Sequence, residues 1–219
     1  LISFFYNFFK TIFYIFFKVF HRLKVIGSEN VPIKGGAIIA ANHASYLDPP
    51  AVGVALKRRA VYMAREGLFR IPLLGLFIRT FSLPVRRGKP LPSTIKEVVR
   101  RLKHGEVVVI FPEGGRSTDG SIADIKRGIG VITQLAKVPV IPAYLSGTGK
   151  ALPVGAKFLR LAKITVIFGH PLKIDKKEGE NEKQFQERIG KSITEAIKHL
   201  RGEMEPLREQ KITNHDQKM

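Results

Sequence analysis

The chain has 219 residues, 44% hydrophobic and 25% charged, enough for one sizeable core and without a low-complexity tract. It contains no Cys, which excludes disulfides, thiolate metal sites and a cysteine nucleophile and fits a reducing compartment. Its 37 Lys and Arg against 18 Asp and Glu give a formal charge of +19, which attracts polyanions: nucleic acid, an anionic membrane face or phosphorylated substrates.

The first element is a helix over residues 1–23, and its composition breaks with the rest. "LISFFYNFFKTIFYIFFKVF" holds eight of the 15 Phe. Such a helix is about 30 Å long, near the thickness of a bilayer core, but Lys10 would lie mid-span at a cost of roughly 2.5–3.5 kcal/mol. Asn7, Lys10, Thr11, Tyr14, Lys18 and His21 recur at steps of three and four, on one narrow stripe. A basic stripe beside a wide Phe, Ile and Val face is expected to lie in one leaflet, with its lysines at the headgroups. No small-residue cleavage site follows, so a removable leader is not expected. The competing reading is a core helix of a soluble domain.

Beyond it, strand-like and helix-like runs alternate. "GAIIAA" (36–41), "AVYMA" (60–64), "SLPVR" (82–86), "EVVVIFP" (106–112), "VPVIPAYL" (138–145) and "KITVIFG" (163–169) read as short buried strands. "PPAVGVALK", "LLGLFIRTF", "LPSTIKEVVRRLKHG" and "IKRGIGVITQLAK" have helical spacing; in the third, Ile95, Val98, Val99 and Leu102 share one side and Gly105 stands at the C-terminal cap. A last helix is expected from about Glu182 to Leu200, with Phe185, Ile189, Ile193 and Ile197 inward and a polar tail beyond. The alternation predicts an α/β fold, a central mostly parallel sheet with helices on both faces.

Sheets of this kind display functional groups at strand ends, and two such ends are unusual. "NHASYLD" (42–48) offers His43 and Asp48. An imidazole can accept a proton at neutral pH, and a carboxylate on its Nδ1–H fixes the tautomer and stabilises the imidazolium that forms. The spacing works if Asp48 opens a helix. As an isolated pattern it is weak, and a solvent-facing pair without a role is commoner. "FPEGGRS" (111–117) follows the most apolar strand; its two glycines let backbone N–H groups approach an anion, and Arg116 offers phosphate a two-pronged donor. Alone it is as readily a structural turn. Elsewhere, "SGTGK" (146–150) lacks the Gly that a phosphate loop needs at position 144, which is Tyr. The other histidines lack ligand spacing, so no metal site is expected.

Together these segments resemble the glycerolipid acyltransferases, most closely the bacterial 1-acyl-sn-glycerol-3-phosphate acyltransferases. "NHASYLD" is similar to N-H-x-x-x-x-D and "FPEGGRS" to F-P-E-G-T-R-S. "GLFIRTFSLPVRRG" (75–88) resembles the block ending in V-x-R, placing Arg87 on its arginine. "IKRGIG" resembles F-K-x-G, placing Lys126 on its lysine, and "VPVIPAYLSG" resembles a strand containing V-I-P. The order and spacing of all five agree, from about Val25 to Pro171. Gly115 replaces the usual Thr, Arg86 an acidic residue, and Ile125 the usual Phe; Arg65 occurs where many members have Lys.

The resemblance implies a glycerol-3-phosphate acyltransferase-like fold and transfer of a fatty acyl group from a thioester, acyl-CoA or acyl carrier protein, to the sn-2 hydroxyl of lysophosphatidic acid. Phosphatidic acid would result, without a cofactor. His43 would act as general base and Asp48 would orient it. Asn42, Arg87, Glu113, Gly114, Gly115, Arg116, Ser117 and Lys126 would form the substrate site. The implied organisation is a membrane-attached helix (1–23), an acyltransferase domain (24–202) and a polar tail (203–219), at the cytoplasmic face of an anionic phospholipid membrane. Glycerol 3-phosphate or a lysophospholipid is the alternative acceptor. From another class, a basic membrane- or nucleic-acid-binding protein remains. Nucleic-acid binding predicts aromatics interleaved with the basic residues, whereas the Phe cluster at the N-terminus, so no nucleic-acid partner is expected.

Overall fold

The computed structural model describes residues 2–72, 74–85, 92–118, 120–122, 125 and 128–216. Seven strands form one sheet: β1 (Lys24–Ile26), β2 (Ala37–Ala41), β3 (Ala60–Arg65), β4 (Ser82–Val85), β5 (Val107–Ile110), β6 (Val140–Ser146) and β7 (Thr165–Phe168). Their order is β1-β7-β6-β2-β5-β3-β4. Neighbours pair in parallel except β6 and β7, which are antiparallel. The helices are α1 (Ile2–His21), α2 (Asp48–Ala55), α3 (Leu74–Arg79), α4 (Pro92–Lys103), α5 (Gly128–Ala136), α6 (Thr148–Ala151) and α7 (Glu182–Asp216). The mostly parallel α/β sheet expected from the alternation is therefore present.

The period-two alternation of strands divides the core. Ala37, Ile39 and Ala41 of β2, Val107 and Val109 of β5, and Ile141 and Ala143 of β6 face one cluster with α1 and α2. Ile38, Ala40, Val108, Ile110 and Val140 face the other, closed by Val98, Val99 and Leu102 of α4, Ile129 and Ile132 of α5, and Phe185, Ile189, Ile193 and Ile197 of α7. Helices cover both faces of the central strands, which is why β2 and β5 are apolar throughout rather than alternating. Between α5 and α7 the backbones are nearly in contact. A Cβ on Gly130 would lie 2.4 Å from the Gln186 carbonyl oxygen, so only Gly fits.

The chain leaves β2 toward β3 on one side and leaves β5 toward β6 on the other. Adjacent strands whose connections depart in opposite directions open a crevice at their carboxyl ends. Both singled-out motifs emerge there.

Three features differ from the sequence expectation. The short β1 pairs with β7 and was not marked by its own composition. The last helix does not stop near Leu200 but continues to Asp216, and Leu200 and Met204 are buried against Ile167. The polar stripe of α1 does not all face outward. Lys10 donates from Nζ to the Leu56 carbonyl, and burial lowers its pKa. His21 is buried and donates from Nδ1 to the Ala162 carbonyl at 3.0 Å. Phe17, 0% exposed, enters the core beside them. One face of α1 is thus packed on the domain, while Phe5, Phe8, Ile12, Ile15 and Val19 remain exposed on another. Among the described residues, no helix is long and apolar enough to cross a membrane.

Candidate active site

β2 ends at Ala41, and the chain is secured at once. The Asn42 amide donates to the Leu145 carbonyl at 3.1 Å and accepts from the Leu145 N–H at 2.7 Å, so β2 stays locked to β6 past its last residue. The next residue, His43, is clamped from the other side by the 111–117 loop. Its N–H donates to Glu113 Oε1 at 3.1 Å, and its carbonyl accepts from the Ser117 N–H at 2.7 Å. Its ring stacks on Phe111, centroids 4.3 Å apart and planes inclined by 23°. Two segments separated by 70 positions in sequence therefore form one unit.

Asp48 completes it. The chain turns through Ser45, whose hydroxyl donates to the Leu152 carbonyl and accepts from the Leu47 N–H. Asp48 then opens α2, with Pro49 and Pro50 in the first turn, where a proline's missing N–H leaves no intrahelical bond unmade. A carboxylate in that turn also sits favourably in the helix dipole. Its Oδ2 accepts three N–H groups: His43 Nδ1 at 2.8 Å and the backbone of Ala44 and Ser45, each at 2.7 Å. Asp48 is wholly buried, whereas the His43 side chain is 17% exposed. Because Oδ2 already faces two backbone donors, Nδ1 must be a donor too. The free lone pair of the neutral ring is then on Nε2, and that atom can take up a proton.

In the second loop Gly114 adopts φ 69°, a left-handed conformation that favours Gly, and its N–H closes a turn on the Phe111 carbonyl. A Cβ on Gly115 would meet nothing within 4 Å, so the loop is open on that side. The Arg116 guanidinium lies 3.6 Å from the centre of the Tyr46 ring, within reach of a cation–π contact across the two motifs.

The acyltransferase family model matches residues 22–146, which span β1 through β6 and both motif loops. This chain belongs to the acyltransferase family. The acyltransferase is 35% identical over 152 residues to the 1-acyl-sn-glycerol-3-phosphate acyltransferase of Bacillus subtilis, covering 68% of this chain and 73% of that one. It is 31% identical over 158 residues to a chloroplastic 1-acyl-sn-glycerol-3-phosphate acyltransferase of Arabidopsis thaliana, covering 70% of this chain but 44% of that longer one. Among solved structures it is similar to the 1-acyl-sn-glycerophosphate (LPA) acyltransferase PlsC of Thermotoga maritima. There the TM-score is 0.68, the identity 27%, and the coverage 84% of this chain and 73% of that one.

Of the site residues read from sequence, the fold brings His43, Asp48, Glu113, Gly114, Gly115, Arg116 and Ser117 of this acyltransferase into one crevice. Asn42 is adjacent, and both polar atoms of its amide are taken up in holding the strand ends. Arg87 and Lys126 lie outside the described residues. Two contributors were not singled out: Phe111, on which the imidazole rests, and Tyr46, beneath the guanidinium. Each lies inside a motif whose charged members drew the attention, and an aromatic beside a polar turn was the available signal.

Proposed function

We propose that this acyltransferase transfers a fatty acyl group from an acyl thioester to the sn-2 hydroxyl of lysophosphatidic acid, forming phosphatidic acid. The observation that carries this reading is the buried Asp48 carboxylate 2.8 Å from Nδ1 of a partly exposed His43, with Arg116 of the neighbouring 111–117 loop resting on Tyr46 of the same turn. It is supported by the names of the relatives, which act on 1-acyl-sn-glycerol 3-phosphate.

His43 Nε2 removes the hydroxyl proton as the oxygen attacks the thioester carbonyl carbon. The C–O bond forms, the C–S bond breaks, and the departing thiolate takes the proton from the imidazolium. Asp48 holds the ring and stabilises its transient charge. Attack is direct: the chain has no Cys and no G-x-S-x-G elbow to carry an acyl-enzyme. Arg116 binds the acceptor phosphate, leaving the Tyr46 ring for a two-pronged contact. Glu113 supports the loop by accepting from the His43 N–H, which places a carboxylate near a phosphate without opposing it directly.

Both acceptor and product are anionic lipids, so the site must work at a leaflet. The exposed Phe5, Phe8, Ile12, Ile15 and Val19 recur at steps of three and four along α1, opposite the face packed on the domain. They make α1 an interfacial anchor at the cytoplasmic face, with coenzyme A or carrier-protein thioesters as donors from the aqueous side.

The test is His43→Ala, assayed with labelled lysophosphatidic acid and an acyl thioester. Phosphatidic acid formation is expected to vanish while the circular dichroism spectrum stays that of the parent. Turnover near that of the parent would remove the general base. An acceptor panel that includes glycerol 3-phosphate and neutral lysophospholipids tests the choice of acceptor.

A further inference from the structure

Among the described residues, the large apolar side chains with the highest fractional exposure lie in the connection from β6 to β7. Phe158 and Leu161 are each 81% exposed and Leu159 51%. They do not belong to a collapsed or frayed segment. The Arg160 N–H donates to the Ala151 carbonyl at 2.8 Å, and the Ala156 N–H closes a turn on the Pro153 carbonyl, so the loop is hydrogen-bonded shut with its apolar side chains outside. Lys157, Arg160 and Lys163 alternate with them and are also exposed. From Ile125 to Ile174 the sequence carries eight Lys and Arg and no Asp or Glu. Apolar tips interspersed with cations, in a stretch of sequence without a carboxylate, match an anionic bilayer, where the former enter the acyl boundary and the latter meet headgroups.

The topology fixes where this loop stands. β7 runs antiparallel to β6, so the connection does not cross the sheet but turns back at the carboxyl ends of the parallel strands, the end that carries His43. One end of the loop touches the catalytic turn through Ser45 Oγ and the Leu152 carbonyl at 2.8 Å. The other touches the last residue of α1, through His21 Nδ1 on the Ala162 carbonyl and the Ile164 N–H on the His21 carbonyl.

We propose that loop 152–163 is a second lipid-contacting element, which inserts Phe158 and Leu161 into an anionic leaflet and, with α1, seats the rim of the His43 crevice on the membrane. This rests on the lipid-acyltransferase reading above, and its test is separable from it.

The chain contains no Trp, so Phe158→Trp in the full chain introduces a single indole at the loop tip. With vesicles of phosphatidylglycerol and phosphatidylcholine, its emission is expected to shift to the blue and to be quenched by brominated acyl chains. The doubly substituted Phe158→Ser, Leu161→Ser chain is expected to bind those vesicles at least about 10-fold more weakly, with an unchanged melting temperature. Its turnover of a dispersed short-chain acceptor is expected to stay within twofold of the parent. Indole emission unmoved by vesicles that sediment the protein would overturn the proposal, leaving α1 as the sole anchor. So would undiminished vesicle binding by the double variant, or an indole shift that follows protein concentration without lipid, which would mark contact between copies of the chain. Failure of the parent to acylate the dispersed acceptor bears on the catalytic reading alone, because the indole reports lipid contact without turnover.

Discussion

Replacing Asp48 with Asn separates charge from shape at the centre of the site. The amide oxygen can stay at the Oδ2 position and accept from His43 Nδ1 and the Ala44 and Ser45 N–H groups, so the ring keeps its orientation and tautomer. What disappears is the negative charge 2.8 Å from the ring when the imidazolium forms. Coulomb attraction at that distance is about 1.5 kcal/mol in bulk water and about 6 kcal/mol at an effective dielectric of about 20. With Asp48 wholly buried and His43 largely so, the upper part of that range applies, and kcat should fall by about 10³- to 10⁴-fold. The new amide NH2 would replace Oδ1, which has no hydrogen-bond partner among the described residues. An unmet buried donor costs about 1–3 kcal/mol, so stability should drop without loss of the fold. Initial rates of phosphatidic acid formation, with melting curves on the same preparations, measure both effects. A folded Asp48→Asn enzyme within threefold of the parent kcat would refute the charge-stabilised base.

Arg116→Ala should raise the acceptor KM more than it lowers kcat, and an unchanged acceptor KM would argue against the phosphate contact. Gly130→Ala should destabilise by about 1–3 kcal/mol, because its Cβ meets the Gln186 backbone rather than a yielding side chain; calorimetry should show the melting temperature falling by several degrees. Hydrogen bonds from Arg188 hold the Glu180 carboxyl at about 2, below its ordinary 4.5. A depressed folded-state value contributes stability above pH 4.5 that is lost as pH falls through about 2. Glu180→Gln should therefore be less stable than the parent at neutral pH and equal to it near pH 2 in denaturant titrations; a gap that persists in acid would contradict this.

Much of this architecture was legible because it is local. The apolar runs of β2 and β5, the inward face Val98, Val99 and Leu102 of α4, and the i, i+4 ladder from Phe185 to Ile197 on α7 all obey a single period. The His43–Asp48 pair was legible for the same reason, since five residues and two prolines define the turn that joins them. What stayed hidden depends on distant partners. β1 is three residues long, begins with Lys, and exists as a strand because β7 lies beside it. Lys10 and His21 look like the wet side of an amphipathic helix until the carbonyls of Leu56 and Ala162 come into reach. The extension of α7 beyond Leu200 relies on Met204 finding Ile167. In the site, the resting place of Arg116 on Tyr46 requires the two loops to be juxtaposed, which neither loop encodes alone.

The clasp between His43 and the Glu113–Ser117 loop makes the intervening sixty-odd residues a tethered excursion, anchored at both feet on neighbouring strands. Lengthening such an excursion is cheap, about 0.6 kcal/mol for each doubling. Insertions in the loops of this excursion are therefore tolerated while the His43–Asp48 corner stays in register. Variation along the excursion and constancy of that corner both follow from one pair of contacts on the His43 backbone.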